Sequence, residues 1–375
     1  MDVCSANAPG RGPRIASLNG SGWRAFGPDQ QTIGFLPHRG GRVAYAVVGS
    51  GPPLLLDLGR AHDLEAFWRH PSYRGLVRRI GRRFTVVRWD RPGFGLSDRG
   101  DRDLTLEGEL ALLDQLTLRL GLEQAGALAA GDAGPIMVQF AARRPARVSR
   151  LVLFGTAAAG RHLSPSIPPR TLEALCMPET HMIHALVAAA AARACEPEVG
   201  RWLTSALEGA ADAVTLANLV AETWRLDARP VLPLVKAPTL VLHREHDPVV
   251  PSAAGRELAA GIAGAEFVVL AGAAHLLYAA DVEPALQVLM PFLAGGAEGE
   301  LGAEPGLLSR RELEVVDMVL LGLTSAEIGQ RLAITRRTVE AHLEHIRAKL
   351  GVRSRSRIAA WAVANRLGAA GCQTA

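Results

Sequence analysis

The sequence is poor in lysine, cysteine and aromatic residues, and these shortages narrow the class of protein to which it can belong. Lys236 and Lys349 are the only lysines, so arginine supplies nearly all of the positive charge. The four cysteines are scattered along the chain, at Cys4, Cys176, Cys195 and Cys372. No closely spaced pair indicates a metal site, and nothing indicates a disulfide framework. We therefore predict free thiols in a reducing cytoplasm, with no metal and no other cofactor.

Long apolar segments are also missing. No run of about 18 apolar residues is free of charges, so we predict no membrane span. Residues 1–31 are rich in glycine, proline, serine and asparagine, and they lack the apolar core of a signal peptide. We interpret this segment as a disordered leader and expect a cytoplasmic protein.

Length and charge distribution both favour two domains. A chain of 375 residues is long for a single core. Residues 305–375 hold ten arginines and one lysine against six carboxylates, a net charge of +5, whereas the whole chain carries +4. The remainder is therefore close to neutral, at −1. This asymmetry is typical of a small nucleic-acid-binding domain joined to a near-neutral partner domain.

Between residues 32 and 155, short apolar runs alternate with amphipathic stretches. The apolar runs predict strands and the amphipathic stretches predict helices, including one continuous helix over Leu64–Ile80. Thr239–His243 and Glu266–Leu270 continue the pattern as two further strands. Two opening strands followed by strand–helix alternation predict an α/β fold with a mostly parallel sheet covered on both faces. The earlier predicted strands are Thr32–Leu36, Arg42–Val48, Pro53–Leu58, Phe84–Trp89, Gly126–Ala130 and Val148–Phe154.

Composition marks the remaining divisions of the chain. Residues 160–230 are rich in alanine and predict a helical insertion into the sheet, placed as a lid. Residues 296–306 are rich in glycine and have the composition of a linker. The predicted domains are therefore an α/β domain over residues 32–295 and a small all-α domain over residues 307–370.

Two capping boxes predict helix starts in the C-terminal segment. Ser309–Glu312 and Thr324–Glu327 each pair a hydroxyl residue with a glutamate three positions later. Between them, Gly322 stands where a left-handed helix end is favoured. After a short turn, a third helix is predicted over residues 336–350. Its apolar residues form one stripe for a core, at Val339, Leu343, Ile346 and Leu350.

This segment resembles the helix-turn-helix of LuxR/NarL-type regulators over about 60 residues. The matching motifs are Leu308–Glu312, Gly322–Ile328, Ile334–Leu343 and Lys349–Val352. The resemblance implies four helices, the last near Arg355–Leu367, in a domain that binds double-stranded DNA as a homodimer.

The same resemblance implies which residues meet DNA, and Thr324 belongs to that set. The implied phosphate contacts are Arg336, Arg337, Thr338 and Lys349. The residues implied to face base edges are Glu340, Ala341 and Glu344. A carboxylate accepts a hydrogen bond from cytosine but repels phosphate, so affinity is expected to depend on the arginines and on dimerisation.

The rest of the chain, over about residues 32–295, resembles the α/β-hydrolase fold. The matching motifs are Trp89–Asp98, Arg144–Val148, His246–Pro251 and Gly272–His275. The resemblance implies a lid above the sheet, with Asp247 as the catalytic acid and His275 as the catalytic histidine. An enzyme of this fold also needs a nucleophile on a sharp strand-to-helix turn.

The nucleophile is the part of this pattern that the sequence lacks. Alignment of the turn Ala129–Pro135 on its last three residues, and on the distance to Pro145, places Gly131 at the nucleophile position. A glycine has no side chain, so the serine-hydrolase mechanism is absent in this register.

If the alignment of this turn is shifted by one residue, it implies a different chemistry. Asp132 then resembles the aspartate of haloalkane dehalogenases and epoxide hydrolases, forming an ester that His275 would hydrolyse with water. Two features disfavour this shift: the spacing to Pro145 becomes one residue short, and Ala133 replaces the usual tryptophan.

The residues around this turn also suggest ligand binding without catalysis. The backbone amides of Arg60 and Asp132 occupy the positions where the family builds an oxyanion hole, and are expected to hold a carbonyl or carboxylate. His275 would contact the same ligand near Gly131. The other interpretation is that His275 and Asp247 are relics or a structural pair.

Three functions follow from these observations. The favoured one is a DNA-binding transcriptional regulator whose α/β-hydrolase-like domain, without a nucleophile at Gly131, senses a small, largely apolar ligand. The alternative is an active hydrolase that uses Asp132, His275 and Asp247 and is fused to a DNA-binding domain. The third is a constitutive regulator whose large domain only dimerises or binds another protein.

Overall fold

The computed structural model describes residues 29–99, 103–163, 183–295, 310–332, 334–350, 354, 355 and 358. The chain divides into two compact units between Gly296 and Ala297. The larger unit contains a mixed sheet, and the smaller unit is helical.

The larger unit is built on one eight-stranded sheet. Its spatial order is β1-β2-β4-β3-β5-β6-β7-β8. The pairs β1–β2 and β2–β4 are antiparallel, and all other neighbours are parallel. The strands are β1 (Thr32–His38), β2 (Gly41–Val48), β3 (Pro53–Asp57), β4 (Thr85–Trp89), β5 (Ala125–Ala130), β6 (Val148–Phe154), β7 (Thr239–Arg244) and β8 (Glu266–Leu270).

Helices cover both faces of this sheet. One apolar core contains residues of α3 and α4, and a second contains residues of α2 and α9. Central strands are consequently buried on both sides, and every residue of β5 is buried. This arrangement confirms the predicted α/β class. The helices are α1 (Leu64–Arg69), α2 (Pro71–Gly81), α3 (Leu106–Arg119), α4 (Gly134–Arg143), α8 (Ser252–Gly261) and α9 (Glu283–Leu293).

All eight predicted strands are present, but the single helix predicted over Leu64–Ile80 is wrong. The chain instead forms α1 and α2, separated at His70, which has the extended dihedrals φ −72° and ψ 121°. Proline disfavours the helical conformation of the residue before it, and Pro71 is well suited to the first turn of a new helix. The helix therefore stops at the residue that precedes proline.

The described residues between β6 and β7 form three α-helices. They are α5 (Ile183–Ala191), α6 (Pro197–Ala210) and α7 (Ala213–Arg225). Backbone hydrogen bonds join the two ends of this insertion, from Gly160 N to Leu226 O and from Ala228 N to Ala158 O, both at 2.8 Å. Residues 164–182 of the predicted lid lie outside the described residues.

The smaller unit contains α10 (Arg310–Leu320), α11 (Ser325–Leu332) and α12 (Arg336–Leu350). Gly322 ends the turn after α10 with φ +75°, the left-handed conformation predicted for it. Of the predicted stripe on α12, Val339, Leu343 and Ile346 are buried, whereas the Leu350 side chain lies outside the description. The other buried core residues are Val315, Val316, Val319, Ile328 and Ile358.

Two predictions for this unit fall largely on undescribed residues. The first capping box includes Ser309, which is outside the described residues. Of the predicted fourth helix, Arg355 and Ile358 are described, and both are helical. The second capping box is confirmed: Thr324 N donates to Glu327 Oε2 at 2.6 Å, and Glu327 N donates to Thr324 Oγ1 at 3.3 Å.

Candidate functional site

The loops after β7 and β8 bring the predicted acid and histidine together. His275 Nδ1 donates to Asp247 Oδ2 at 2.9 Å, and both side chains are buried. The other Asp247 oxygen accepts from the amides of Val249 at 2.8 Å and Val250 at 3.0 Å. In the neutral form of the ring, the proton on Nδ1 leaves Nε2 as a hydrogen-bond acceptor.

The environment of Asp247 favours its charged form. Burial alone raises the pKa of this carboxyl, but the hydrogen bond and charge of His275 and the two loop amides outweigh that effect, so the net pKa is lowered. The carboxylate is therefore suited to hold the histidine in one orientation and one tautomer.

Gly131 lies at the sharp turn between β5 and α4, opposite the free nitrogen of His275. Its φ of +53° is in the left-handed region that a strained strand-to-helix turn uses. A Cβ built on Gly131 would lie 3.3 Å from His275 Nε2. The position that faces the histidine therefore belongs to a residue without a side chain. The backbone φ of Asp132 lies outside the left-handed region.

The Asp132 side chain occupies part of the expected oxyanion hole. Arg60 N donates to Asp132 Oδ1 at 2.9 Å. The Arg60 amide, expected to hold a carbonyl or carboxylate of a ligand, therefore already donates to a carboxylate of this chain. Among the described residues, no hydrogen bond or ion pair joins Asp132 to His275.

Behind this turn lies a buried network of charges. The Arg60 guanidinium, fully buried, donates to Glu109 at 2.8 Å and to the Thr223 hydroxyl of α7 at 2.7 Å. Arg91 donates to the same Glu109 oxygen and to Asp57, each at 2.6 Å. The network joins the floor of the site to a helix of the lid.

The pKa values in this network follow from burial opposed by pairing. For Glu109, burial raises the pKa, but the charges and hydrogen bonds of Arg91 and Arg60 outweigh it and lower the net value. For Asp57, burial is the larger effect and raises the pKa despite Arg91, and the charges of Glu109 and Asp132 add to the rise. Arg60 was among the predicted site residues, whereas Glu109 and Thr223, which are remote from it along the chain, were not.

The site opens into a cavity of about 180 Å³. Arg60, Gly131, Asp132 and His275 line one part of it. Most of the remaining wall is apolar, and it includes residues of the lid helices as well as of the sheet loops: Leu58, Phe67, Leu186, Leu203, Leu207 and Val250. An apolar cavity with a few polar groups gathered at one end is the usual form of a small-molecule site.

The smaller unit presents a polar helix face. Thr335 caps α12 by accepting from the amide of Thr338 at 3.2 Å, and its hydroxyl is 2.8 Å from that of Thr338. The stripe at Val339 and Leu343 is buried, which turns the intervening residues outward. Five predicted DNA contacts on α12 are accordingly exposed, namely Arg336, Arg337, Thr338, Glu340 and Ala341.

Other predicted DNA contacts differ in their surroundings. Thr324, at the start of α11, and Glu344 are also exposed. The Lys349 side chain lies outside the described residues. Arg336 Nε donates to Glu340 Oε1 at 2.8 Å in an exposed pair one helical turn apart. The charge of Arg336, a predicted phosphate contact, is therefore partly neutralised by Glu340, a predicted base contact.

Arg337 gives the cleaner test of phosphate contact because no hydrogen bond or ion pair to it is present among the described residues. We expect Arg337→Ala to reduce the magnitude of the slope of log Kobs against log salt concentration by about 1, since one fewer counterion is released. Fluorescence anisotropy with a DNA duplex at several salt concentrations measures this slope. Arg201→Ala, at an exposed arginine of α6, is the matched control and leaves it unchanged. Equal slopes for wild type and Arg337→Ala would exclude the contact.

Among the residues that the structure describes, no three His, Cys, Asp or Glu side chains are grouped closely enough to hold a metal ion. No described helix combines the length and the apolar character needed to cross a bilayer.

Family comparisons agree with the division into two units. Residues 306–362 match the model of the bacterial regulatory proteins, luxR family. Residues 206–303 match the model of the TAP-like proteins, an α/β-hydrolase-type family. Over 61 residues the chain is 38% identical to the oxygen regulatory protein NreC of Staphylococcus aureus (strain JH9). That stretch spans 16% of this chain and 28% of the length of NreC.

Solved structures are similar to the larger unit. The enol-lactonase from Burkholderia xenovorans LB400 is 26% identical, with a TM-score of 0.59, over 70% of this chain and 100% of that chain. A hydrolase from Pseudomonas aeruginosa PA01 is 26% identical, with a TM-score of 0.58, over 70% and 98%. A bromoperoxidase from Bacillus anthracis is 18% identical, with a TM-score of 0.60, over 71% and 100%, and shares the fold.

The fold and the site thus define a protein with an α/β-hydrolase unit followed by a helix-turn-helix unit. The second unit is a LuxR-type DNA-binding domain of the kind found in bacterial regulatory proteins.

Proposed function

We propose that this protein is a transcriptional regulator in which the α/β-hydrolase unit senses a small, largely apolar molecule. The observation that carries the proposal is the position of Gly131, which faces His275 Nε2 at the place where a hydrolase needs a nucleophile. The cavity and the His275–Asp247 pair are retained around a turn that has lost its reactive side chain. Such a site keeps the means to bind a ligand without the means to attack it.

The DNA-binding part of the proposal rests on the LuxR-type domain. Its capped helices present exposed arginines at the start of α12, the helix expected to enter the major groove. We also propose a homodimer on DNA, since paired half-sites match two such helices, and a cytoplasmic location with access to the chromosome. Ligand binding would act by changing how the two recognition helices meet their half-sites.

A hydrolase that uses Asp132 is the second candidate. One observation favours it: Asp132 Oδ1 is held by the Arg60 amide while the side chain lines the cavity, which leaves the second oxygen for a substrate. The conformation of the turn disfavours it, because Gly131 and not Asp132 has the left-handed φ of the apex. The enol-lactonase likeness concerns the fold of this unit, and lactone hydrolysis is not proposed for a site with glycine at this apex.

Ligand binding can be tested with a set of apolar fragments small enough for the cavity, about the size of benzene derivatives. Compounds that raise the melting temperature of the full chain are measured again on Ala190→Trp. Ala190 lines the cavity from α5, so the indole fills the space and is expected to abolish binding.

The matched control is Ala189→Trp, the exposed neighbour on the same helix, which keeps ligand binding. If no fragment binds the wild type, or if every binder also binds Ala190→Trp with unchanged affinity, the sensing proposal is wrong. Turnover of an ester, epoxide or haloalkane that disappears in Asp132→Ala would support the hydrolase instead.

A further inference from the structure

At the polar end of the cavity, one of the two amides expected to form an oxyanion hole is already occupied by a carboxylate. In an oxyanion hole, backbone amides are free to donate to a substrate oxygen. Here the Arg60 amide donates to Asp132 Oδ1, so a negatively charged side chain stands where a carbonyl oxygen would be bound. His275, with its Nδ1 proton on Asp247, adds Nε2 as a second acceptor on the same wall.

The charge of Asp132 is not neutralised by a cation. Its partner is an uncharged amide, and no ion pair to it is found within the part of the chain that is described. By contrast, the buried carboxylates of Asp57, Glu109 and Asp247 are paired with Arg91, Arg60 and His275. Asp132 is therefore the carboxylate of the cavity wall with charge available to a ligand.

Arg60 is the one arginine or lysine among the described residues that line the cavity, and its charge is paired with the buried Glu109. Its Nε and both Nη atoms already donate, to Glu109, to the Thr223 hydroxyl and to the carbonyl oxygen of Leu104. The other donors on described side chains of the lining, the hydroxyls of Thr223 and Tyr278 and the Trp224 indole, are neutral. An apolar cavity with this lining disfavours a carboxylate, since like charges repel strongly when water is excluded.

Resting on the proposed function, we infer that the ligand is an apolar molecule with a protonated amine. The ammonium N–H groups would donate to Asp132 and to His275 Nε2, and the apolar body would lie against the lid helices. Aromatic rings of Phe67, Trp224 and Tyr278 in the same wall suit a cation, because the face of such a ring carries partial negative charge.

The test compares benzylamine with benzoate, two probes of one apolar body and opposite charge, by calorimetric titration of the full chain. Benzylamine is expected to bind at least about tenfold more tightly than benzoate. Asp132→Asn keeps an oxygen acceptor for the Arg60 amide and removes the charge, and is expected to abolish most of this preference. Glu266→Gln removes a carboxylate from the exposed start of β8 and serves as the control with the preference intact.

Three results overturn the inference: benzoate binding as tightly as benzylamine, an undiminished preference in Asp132→Asn, or no binding of either probe. A preference for benzoate leaves ligand sensing in place and shows that the ligand class is wrong. If other fragments bind but neither probe does, ligand sensing likewise stays in place and the ligand class is wrong. Failure of all fragments rejects the proposed function itself.

Discussion

Gly131→Ser is expected to turn this protein into an esterase that forms a covalent acyl intermediate. The Cβ would lie 3.3 Å from His275 Nε2, so the new hydroxyl comes within reach of a histidine already oriented by Asp247. The oxygen attacks the acyl carbon of p-nitrophenyl acetate, its proton passes to Nε2, and p-nitrophenolate leaves. General-base assistance alone predicts a rate about 10²-fold above wild type.

Two features limit the size of this gain. The left-handed φ of +53° costs a non-glycine residue about 1–2 kcal/mol of stability, which a folded domain tolerates. Asp132 occupies the Arg60 amide that should stabilise the oxyanion, so adding Asp132→Ala is expected to raise the rate further.

Mass spectrometry of the acetylated protein and release of p-nitrophenolate measure the gain. Adding His275→Ala to Gly131→Ser is the control and should remove it. A wild type that already hydrolyses the ester as fast as Gly131→Ser would contradict the account, and loss of that activity in Asp132→Ala would identify the aspartyl hydrolase.

Glu109→Ala is expected to destabilise the larger unit by about 3–5 kcal/mol. Glu109 is buried between Arg60 and Arg91, and its removal leaves two guanidinium groups with less compensation in a place that water does not reach. Arg60 also positions the amide that binds Asp132, so the same variant should weaken ligand binding.

Urea denaturation of the full chain, followed by a probe of the larger unit, measures this loss. Glu107→Ala on the same helix is the matched control. That glutamate pairs with Arg143 while 71% exposed, and such pairs contribute less than about 1 kcal/mol. Equal losses for the two variants would show that the buried network does not stabilise the fold.

Motifs with short-range rules were predictable from the sequence. Alternating apolar runs located all eight strands, and the spacing of Thr324 and Glu327 located a capping box that the structure confirms. The pairing of Asp247 with His275 was implied by the resemblance to the α/β-hydrolase fold, and the structure brings the two side chains together after β7 and β8. The break at His70 could also have been predicted, because Pro71 is visible in the sequence.

Contacts that depend on side-chain direction were not predictable. Nothing near Asp132 in the sequence shows that its carboxylate turns toward the Arg60 amide, 72 residues away. Glu109 joins Arg60 across 49 residues and Arg91 across 18, and Thr223 lies 163 residues from Arg60. The elements had to be assembled before the Asp132 carboxylate could be seen to occupy the Arg60 amide.

The most direct test of ligand-responsive regulation is the affinity of the full chain for DNA with and without a bound small molecule. A duplex selected in vitro against the protein is titrated by fluorescence anisotropy, alone and with a saturating fragment that binds wild type but not Ala190→Trp. Coupling between the two sites predicts a change in Kd of about fivefold or more for wild type and none for Ala190→Trp. An identical Kd for wild type with the cavity empty and filled would contradict the account.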